Sequence, residues 1–328
     1  MRSVQTYDRF PLSSVKPLEN LQGYRRHCLT QTGAVLEKGS FPREFSPITG
    51  DRLIPVGDIQ GLPYARCSQT GSLFLAQLPS ASEWSRLLSE TTRHRASSGI
   101  HSRLAQSRTD NVYAPKLDWI QESLRLQEMV KPRLVHVGTF PSEFTPLLSE
   151  SGLCSELVAC DEMRWSLGLN ASSGPRGPLH AAVLLESLDR VSDPAALLAG
   201  VSDLLVDGGL LFVTALVSSG FDMAVLGLHN QYLYPPDRAN CFSLRGLTTF
   251  LSGAGFSLIE VSTPGVLDVE IVREHLRYDQ GLSISDFERQ LVESDGQVQE
   301  AFQTFLQQQG LSSFARIVAR KTSEKVKK

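Results

Sequence analysis

The sequence predicts an α/β fold. A doubly wound, mostly parallel sheet fills the central and C-terminal part, and a small ribbon-like region precedes it. Three observations lead there. Short, mostly apolar runs recur at residues 134–138, 157–161, 181–186 and 210–216, as in strands covered on both faces. Helical segments fall between or after them, at 143–151, 194–205 and 244–254, and such alternation builds a parallel sheet with helices on its faces. Residues before about Pro79 are instead rich in Gly, Pro, Ser and Thr with short apolar runs, which predicts small hairpins and turns.

The elements follow in order. Ser82 is a cap candidate for a helix carrying Trp84, Leu87 and Leu88. A second helix is expected over 114–129, with Leu117, Ile120, Leu124 and Met129 near helical spacing. Asp193 and Pro194 open the 194–205 helix as cap and first-turn proline. Asp207-Gly208-Gly209 then turns the chain into the next strand. Strand alternation returns at 256–262 and 313–319, separated by an insertion, 264–310, that is helical in pattern around 266–276 and 284–306. The expected organisation is therefore a ribbon-like region 1–80, a helical linker 81–130, the α/β domain 131–321 and a basic tail 322–328.

Composition narrows the function classes. The chain has 328 residues, 41% apolar and 20% charged, with a net charge of -3. That is ordinary for a globular protein and gives no basic footprint for nucleic acid. The cluster Lys325, Lys327 and Lys328 reads as a solvated terminus. Asp203 and Asp207 interrupt the best candidate for a membrane span, and residues 1–21 lack the apolar run of a signal peptide. Cys28, Cys67, Cys154, Cys160 and Cys241 show no disulfide framework, so a reducing cytoplasm is expected. Nothing bears on the oligomeric state.

The motifs add a resemblance. Leu134-Val135-His136-Val137-Gly138-Thr139-Phe140-Pro141-Ser142 ends the first strand where class I methyltransferases carry an acidic, glycine-rich loop. Gly138 matches, whereas His136 stands in place of the acid and Phe140 and Ser142 in place of glycines. Asp161 ends the second strand about twenty residues further on, where a carboxylate can bond ribose hydroxyls. The run Glu186-Ser187-Leu188-Asp189-Arg190-Val191-Ser192-Asp193-Pro194 and the later Leu204-Leu205-Val206-Asp207-Gly208-Gly209 resemble the family in residue type, order and separation. Over about 131–321 the chain is similar to a bacterial group of S-adenosylmethionine-dependent methyltransferase-domain proteins associated with surface-sugar modification. The resemblance implies a Rossmann-like, seven-stranded sheet whose last strand, 313–319, lies antiparallel beside 256–262. It also implies S-adenosylmethionine as cofactor, held through Gly138, Thr139, Asp161 and Glu186, and a small-molecule acceptor such as a sugar or sugar nucleotide of surface polysaccharide synthesis. The acceptor-side loops would be 219–222 and 229–238.

Many proteins of that group begin with a zinc ribbon. At the corresponding positions this chain has Ser46, Thr49, Cys67 and Thr70. Neutral hydroxyls are poor zinc ligands beside thiolates, so a ribbon that keeps its turn glycines and holds no metal is expected.

Methyl transfer to oxygen or nitrogen calls for a positioned nucleophile and often a base. His229, Asp222 and Tyr232 are the catalytic candidates, with Asp237 beside them. His136, on a buried strand, reads as a hydrogen-bonded core histidine, and Glu162 as solvent-exposed. Two functions stay open: an active methyltransferase, favoured by Asp161, Glu186 and the intact acceptor-side loops, and a catalytically silent binding or scaffolding module, favoured by the altered cofactor loop.

Overall fold

The computed structural model describes residues 10–16, 18–97, 100–139, 142–168, 177–279 and 281–323. Phe140 and most of the basic tail lie outside these residues.

The chain starts with a short turn of helix, α1 (Leu12–Val15), and a long helix, α2 (Leu18–Lys38). The long helix overturns the expectation of hairpins throughout this region. Tyr24, Cys28, Val35 and Leu36 form its buried stripe, but Gly23, Gly33, Thr30 and Thr32 lie among them and lower helix propensity. Packing decides the outcome. Five short strands follow: β1 (Phe41–Pro42), β2 (Ile54–Ile59), β3 (Leu62–Arg66), β4 (Leu73–Leu75) and β5 (Gln77–Leu78).

Then come α3 (Ala81–Ser97), α4 (Ile100–Arg108), a π-helical turn at Thr109–Tyr113 and α5 (Ala114–Leu126). Trp84, Leu87 and Leu88 are buried as expected. The cap is Ser80, whose hydroxyl accepts the Glu83 N–H at 3.3 Å, rather than Ser82. The end of α5 falls three residues early, before the left-handed Glu128.

The α/β part runs β6 (Arg133–Val137), α6 (Phe144–Glu150), β7 (Glu156–Cys160), β8 (Leu179–Leu185), α7 (Ser187–Arg190), α8 (Pro194–Leu204), β9 (Leu205–Leu216), α9 (Phe221–Leu226), β10 (Asn240–Cys241), α10 (Leu244–Gly253) and β11 (Phe256–Ser262). It ends with α11 (Asp268–Tyr278), α12 (Asp286–Glu293), α13 (Gly296–Gln308) and β12 (Phe314–Lys321). Asp193 accepts the Ala196 N–H at 2.9 Å and so caps α8. Leu179 pairs with Leu205 but Ala181 with Leu210, so residues 206–209 bulge out of the ladder. Gly208 there has a left-handed φ of 78°, and a Cβ on Gly209 would stand 2.8 Å from the Val206 carbonyl oxygen.

The central sheet has the order β11-β12-β9-β8-β6-β7. β7, β6, β8 and β9 are parallel neighbours, and β12 is antiparallel to both β9 and β11. Ile317 faces Val261 and Val213, as the expected final strand pair requires. Six strands are present among the described residues, not seven. All six are segments marked by their apolar runs or alternation; residues 162–168, between β7 and β8, form turns and supply no strand. The insertion is helical as expected, but Asp295 interrupts it and caps α13 by accepting from Gln297 and Val298.

The N-terminal strands do not stand apart. β10 pairs with β4 and extends the β4-β3-β2 sheet, so a sheet spans the boundary expected at residue 80. One apolar cluster holds Tyr64, Phe74 and Trp84 together with Leu184, Val213 and Phe242.

Candidate active site

β6, β8 and β9 end at one edge of the sheet, where open α/β sheets bind ligands. A cavity of about 570 Å³ opens there. Gly138, Thr139, Leu185, Glu186 and Leu216 line it from the strand ends, Arg108 and Lys116 from α4 and α5, Lys16 from the segment after α1, and Asp268 from α11.

Ion pairs organise this cavity. Glu186 has a left-handed backbone, φ 61°, at the sharp turn from β8 into α7. Its carboxylate accepts from Arg238 Nη2 at 2.5 Å and from Lys116 Nζ at 3.5 Å. Burial would raise its pKa, but Arg238, Lys116 and Lys16 overcome that and hold it well below the usual carboxylate range. Asp189, fully buried, lies 3.6 Å from Arg238 Nη1 and accepts the Leu216 N–H at 3.0 Å. Burial there prevails and pushes its pKa well above the usual range. Arg190 lies 3.3 Å from Asp237 and 3.9 Å from Glu162.

The expected site residues separate into those at the cavity and those away from it. Gly138, Thr139, Glu186, Asp222, Tyr232 and Asp237 all line it. Asp222 is fully buried; it accepts from Ser313 Oγ and from Asn230 Nδ2, and burial with the nearby Asp268 pushes its pKa well above the usual range. Tyr232 has a buried hydroxyl with no hydrogen-bond partner among the described residues, and burial raises its pKa. His136 is the hydrogen-bonded core histidine that was expected: it is 3% exposed, with Nδ1 2.7 Å from Thr145 Oγ1.

His229 is elsewhere. It is exposed on a short 3-10 turn and borders a separate groove with Arg25, Asp58 and His275, so the structure does not bring it to Asp222 and Tyr232. Asp161 is exposed and its Oδ1 accepts the Met163 N–H at 2.8 Å. The expectation for Glu162 is overturned: it is 1% exposed and lines the cavity. The turn after β7 points it inward, where Thr139 Oγ1 donates to it. Burial raises its pKa to about 6 against the opposing Arg190.

Sequence reasoning missed Lys16 and Lys116, and gave Arg238 only as the end of an acceptor-side loop. Lys116 left a signal, since it shares the buried stripe of α5 with Trp119, Ile120, Ser123 and Leu124; a lysine in such a stripe needs a partner. Lys16 left none.

Away from the cavity, Ser46, Thr49, Cys67 and Thr70 do converge. Two similar turns bring them together: Gly50 N–H donates to the Ser46 carbonyl at 2.9 Å and Gly71 N–H to the Cys67 carbonyl at 2.8 Å. Thr49 Oγ1 is 3.5 Å from Cys67 Sγ. Burial opposes ionisation of this thiol, but the hydroxyls of Ser46, Thr70 and Thr49 prevail and lower its pKa to about 7.

A family model described as a methyltransferase domain matches residues 93–261, just over half of the chain. The chain belongs to the methyltransferase-domain family. The matched span of this methyltransferase-domain protein includes Lys116, Gly138, Glu162, Glu186 and Arg238, whereas Lys16 and the helical insertion fall outside it. No curated protein matches the sequence. Solved structures similar to it include the plantazolicin methyltransferase BpumL in complex with SAH, at 13% identity over 74% of this chain and 93% of that one, TM-score 0.43. Coclaurine N-methyltransferase bound to N-methylheliamine and SAH is 12% identical over 65% and 73%, TM-score 0.37. An S-adenosylmethionine-dependent methyltransferase from Mesorhizobium loti is 14% identical over 61% and 96%, TM-score 0.33. No described helix is long and apolar enough to cross a membrane.

Proposed function

We propose that this protein transfers the methyl group of S-adenosylmethionine to a small-molecule acceptor. One observation carries the reading: in a chain of the methyltransferase-domain family, the cavity sits at the carboxyl edge of β6 and β8. Its volume falls within the range of about 300–1,000 Å³ usual for small-molecule sites. The residues fit a nucleoside amino acid. Glu162 and Glu186 offer acceptors to its hydroxyl and ammonium groups, and Gly138 presents open backbone, with nothing closer than 3.9 Å to where a Cβ would stand. Asp161 lies outside the cavity lining, so Glu162, one residue on, is the acid placed for a ribose hydroxyl. When bound, the cofactor supplies an electrophilic methyl group.

On the acceptor side, the Tyr232 ring borders the space left for the acceptor. Asp222, whose pKa burial and Asp268 raise, orders Asn230 and Ser313 by accepting a hydrogen bond from each. The acceptor class that the resemblance implies is a sugar or sugar nucleotide of surface polysaccharide synthesis. One observation favours the silent-module alternative: the carboxylates of Glu162 and Glu186 are already engaged by Thr139 and Arg238.

Calorimetric titration with S-adenosylhomocysteine decides between the two. Binding is expected, and Glu162→Gln should weaken it about tenfold or more, the worth of a charge-assisted hydrogen bond, with the fold checked by circular dichroism. Absence of binding at millimolar ligand in folded protein would leave the silent module as the reading.

A further inference from the structure

The cations around the cavity are unevenly matched with anions. Arg108 has Glu143 at 3.3 Å, Arg190 has Asp237 at 3.3 Å, and Arg238 has Glu186 and Asp189. Lys116, 6% exposed at its side chain, reaches one carboxylate, Glu186, which Arg238 already holds at shorter range. Lys16 has no carboxylate within ion-pair distance among the described residues; its ammonium group sits 4.7 Å from the centre of the Tyr232 ring. Lys116 likewise lies over the rings of Tyr113 and Phe314, at 5.9 and 5.2 Å. Aromatic faces soften the isolation of an ammonium group without neutralising it. Lys116 is withdrawn from water, where a cation is costly unless paired, whereas Lys16 faces the open cavity.

The neighbouring acids do not restore the balance, because Asp222 accepts from Asn230 and Ser313, and Asp268 from Ser312, Ser313 and Gln303. Crowding shows at Lys16, whose pKa falls to about 8, first because the surrounding walls desolvate it although its surface faces the open cavity, with Arg238, Arg108 and Lys116 adding to the effect against Glu186.

We propose that Lys16 and Lys116 form an anion-binding subsite that receives a phosphate or carboxylate group of the methyl acceptor. The identification of the ligand as acceptor rests on the methyltransferase reading; the subsite itself rests on Lys16, with no carboxylate in ion-pair distance among the described residues, and on Lys116, whose one carboxylate is shared with Arg238. Charge-assisted hydrogen bonds from both amines would supply the missing counter-charge, and the tyrosine and phenylalanine rings would border the rest of the ligand. An anionic acceptor also explains why a cavity floored by Glu162 and Glu186 carries two further lysines.

The test uses the full chain and inorganic pyrophosphate as probe, titrated by calorimetry with and without saturating S-adenosylhomocysteine. Pyrophosphate is expected to bind in both cases. Lys16→Gln should weaken it about tenfold or more, as expected for loss of a charged hydrogen bond, and Lys16→Arg should retain most of the affinity. Lys16 is exposed to the cavity, so these variants spare the core, which Lys116 variants would not. No pyrophosphate binding, or binding indifferent to Lys16→Gln, overturns the subsite. Mutual exclusion of pyrophosphate and S-adenosylhomocysteine overturns the assignment to the acceptor, because the lysines would then serve the cofactor's own carboxylate. Pyrophosphate binding that needs Lys16, in protein that does not bind S-adenosylhomocysteine, supports the subsite and refutes the transferase reading separately.

Discussion

Protonation of His136 should destabilise this protein as pH falls. The imidazole is 3% exposed on β6, with Nδ1 2.7 Å from Thr145 Oγ1 and the Phe144 ring 5.7 Å away. Burial first, and the Lys116 charge second, lower its pKa from 6.5 to about 4. The unfolded chain therefore binds more protons than the native state between those values, and stability rises with pH across that window. The full difference corresponds to about 3 kcal/mol, of which about 2 kcal/mol is gone by pH 5. Urea unfolding of wild type and His136→Gln from pH 4.5 to 7.5 isolates this contribution, because other titrating groups are common to both. The wild type should lose stability relative to the variant as pH falls below 6.5. A difference that stays constant across the range would show that His136 is not held neutral in the native protein, and the reasoning would fail.

Arg238→Met should destabilise the fold by about 3–5 kcal/mol, since it strips Glu186 and the buried Asp189 of their guanidinium; urea midpoints measure it, and a loss under about 1 kcal/mol would contradict the network. At Gly220 an added Cβ would fall 2.2 Å from Ser313 Cα, so Gly220→Ala should cost about 1–3 kcal/mol or more, seen as a lowered thermal midpoint. Purified protein should contain no stoichiometric zinc, because Cys67 faces three hydroxyls instead of three thiolates; one zinc per chain by elemental analysis would refute this.

Much of the fold was legible in one dimension. The strands β6 to β9 are short apolar runs, the cap at Asp193 and the turn at Gly208 are local chemistry, and the antiparallel β12 follows from alternation together with the family resemblance. Each depends on neighbours a few residues apart. The helix α2 was not legible, because its glycines and threonines weaken the local pattern and burial of Tyr24 and Cys28 outweighs them. The site was legible in part. Gly138, Thr139 and Glu186 reach the cavity because they follow strand ends, a position that order along the chain already specifies, whereas Asp222 on α9 and Tyr232 beyond it reach it through packing.

The sequence by itself thus determined the order of strands along the chain and the carboxyl edge where the cavity opens, since hydrophobic periodicity and turn chemistry act over short separations. Only the tertiary structure decided which of two adjacent acids, Asp161 or Glu162, turns inward, and that His229 faces another groove. It alone gathers Lys116 and Arg238 on Glu186, from 70 and 52 residues away, and sets Lys16 beside them. The direction of a side chain after a turn, and the meeting of charges from distant segments, follow from packing of the whole chain, which no local pattern encodes.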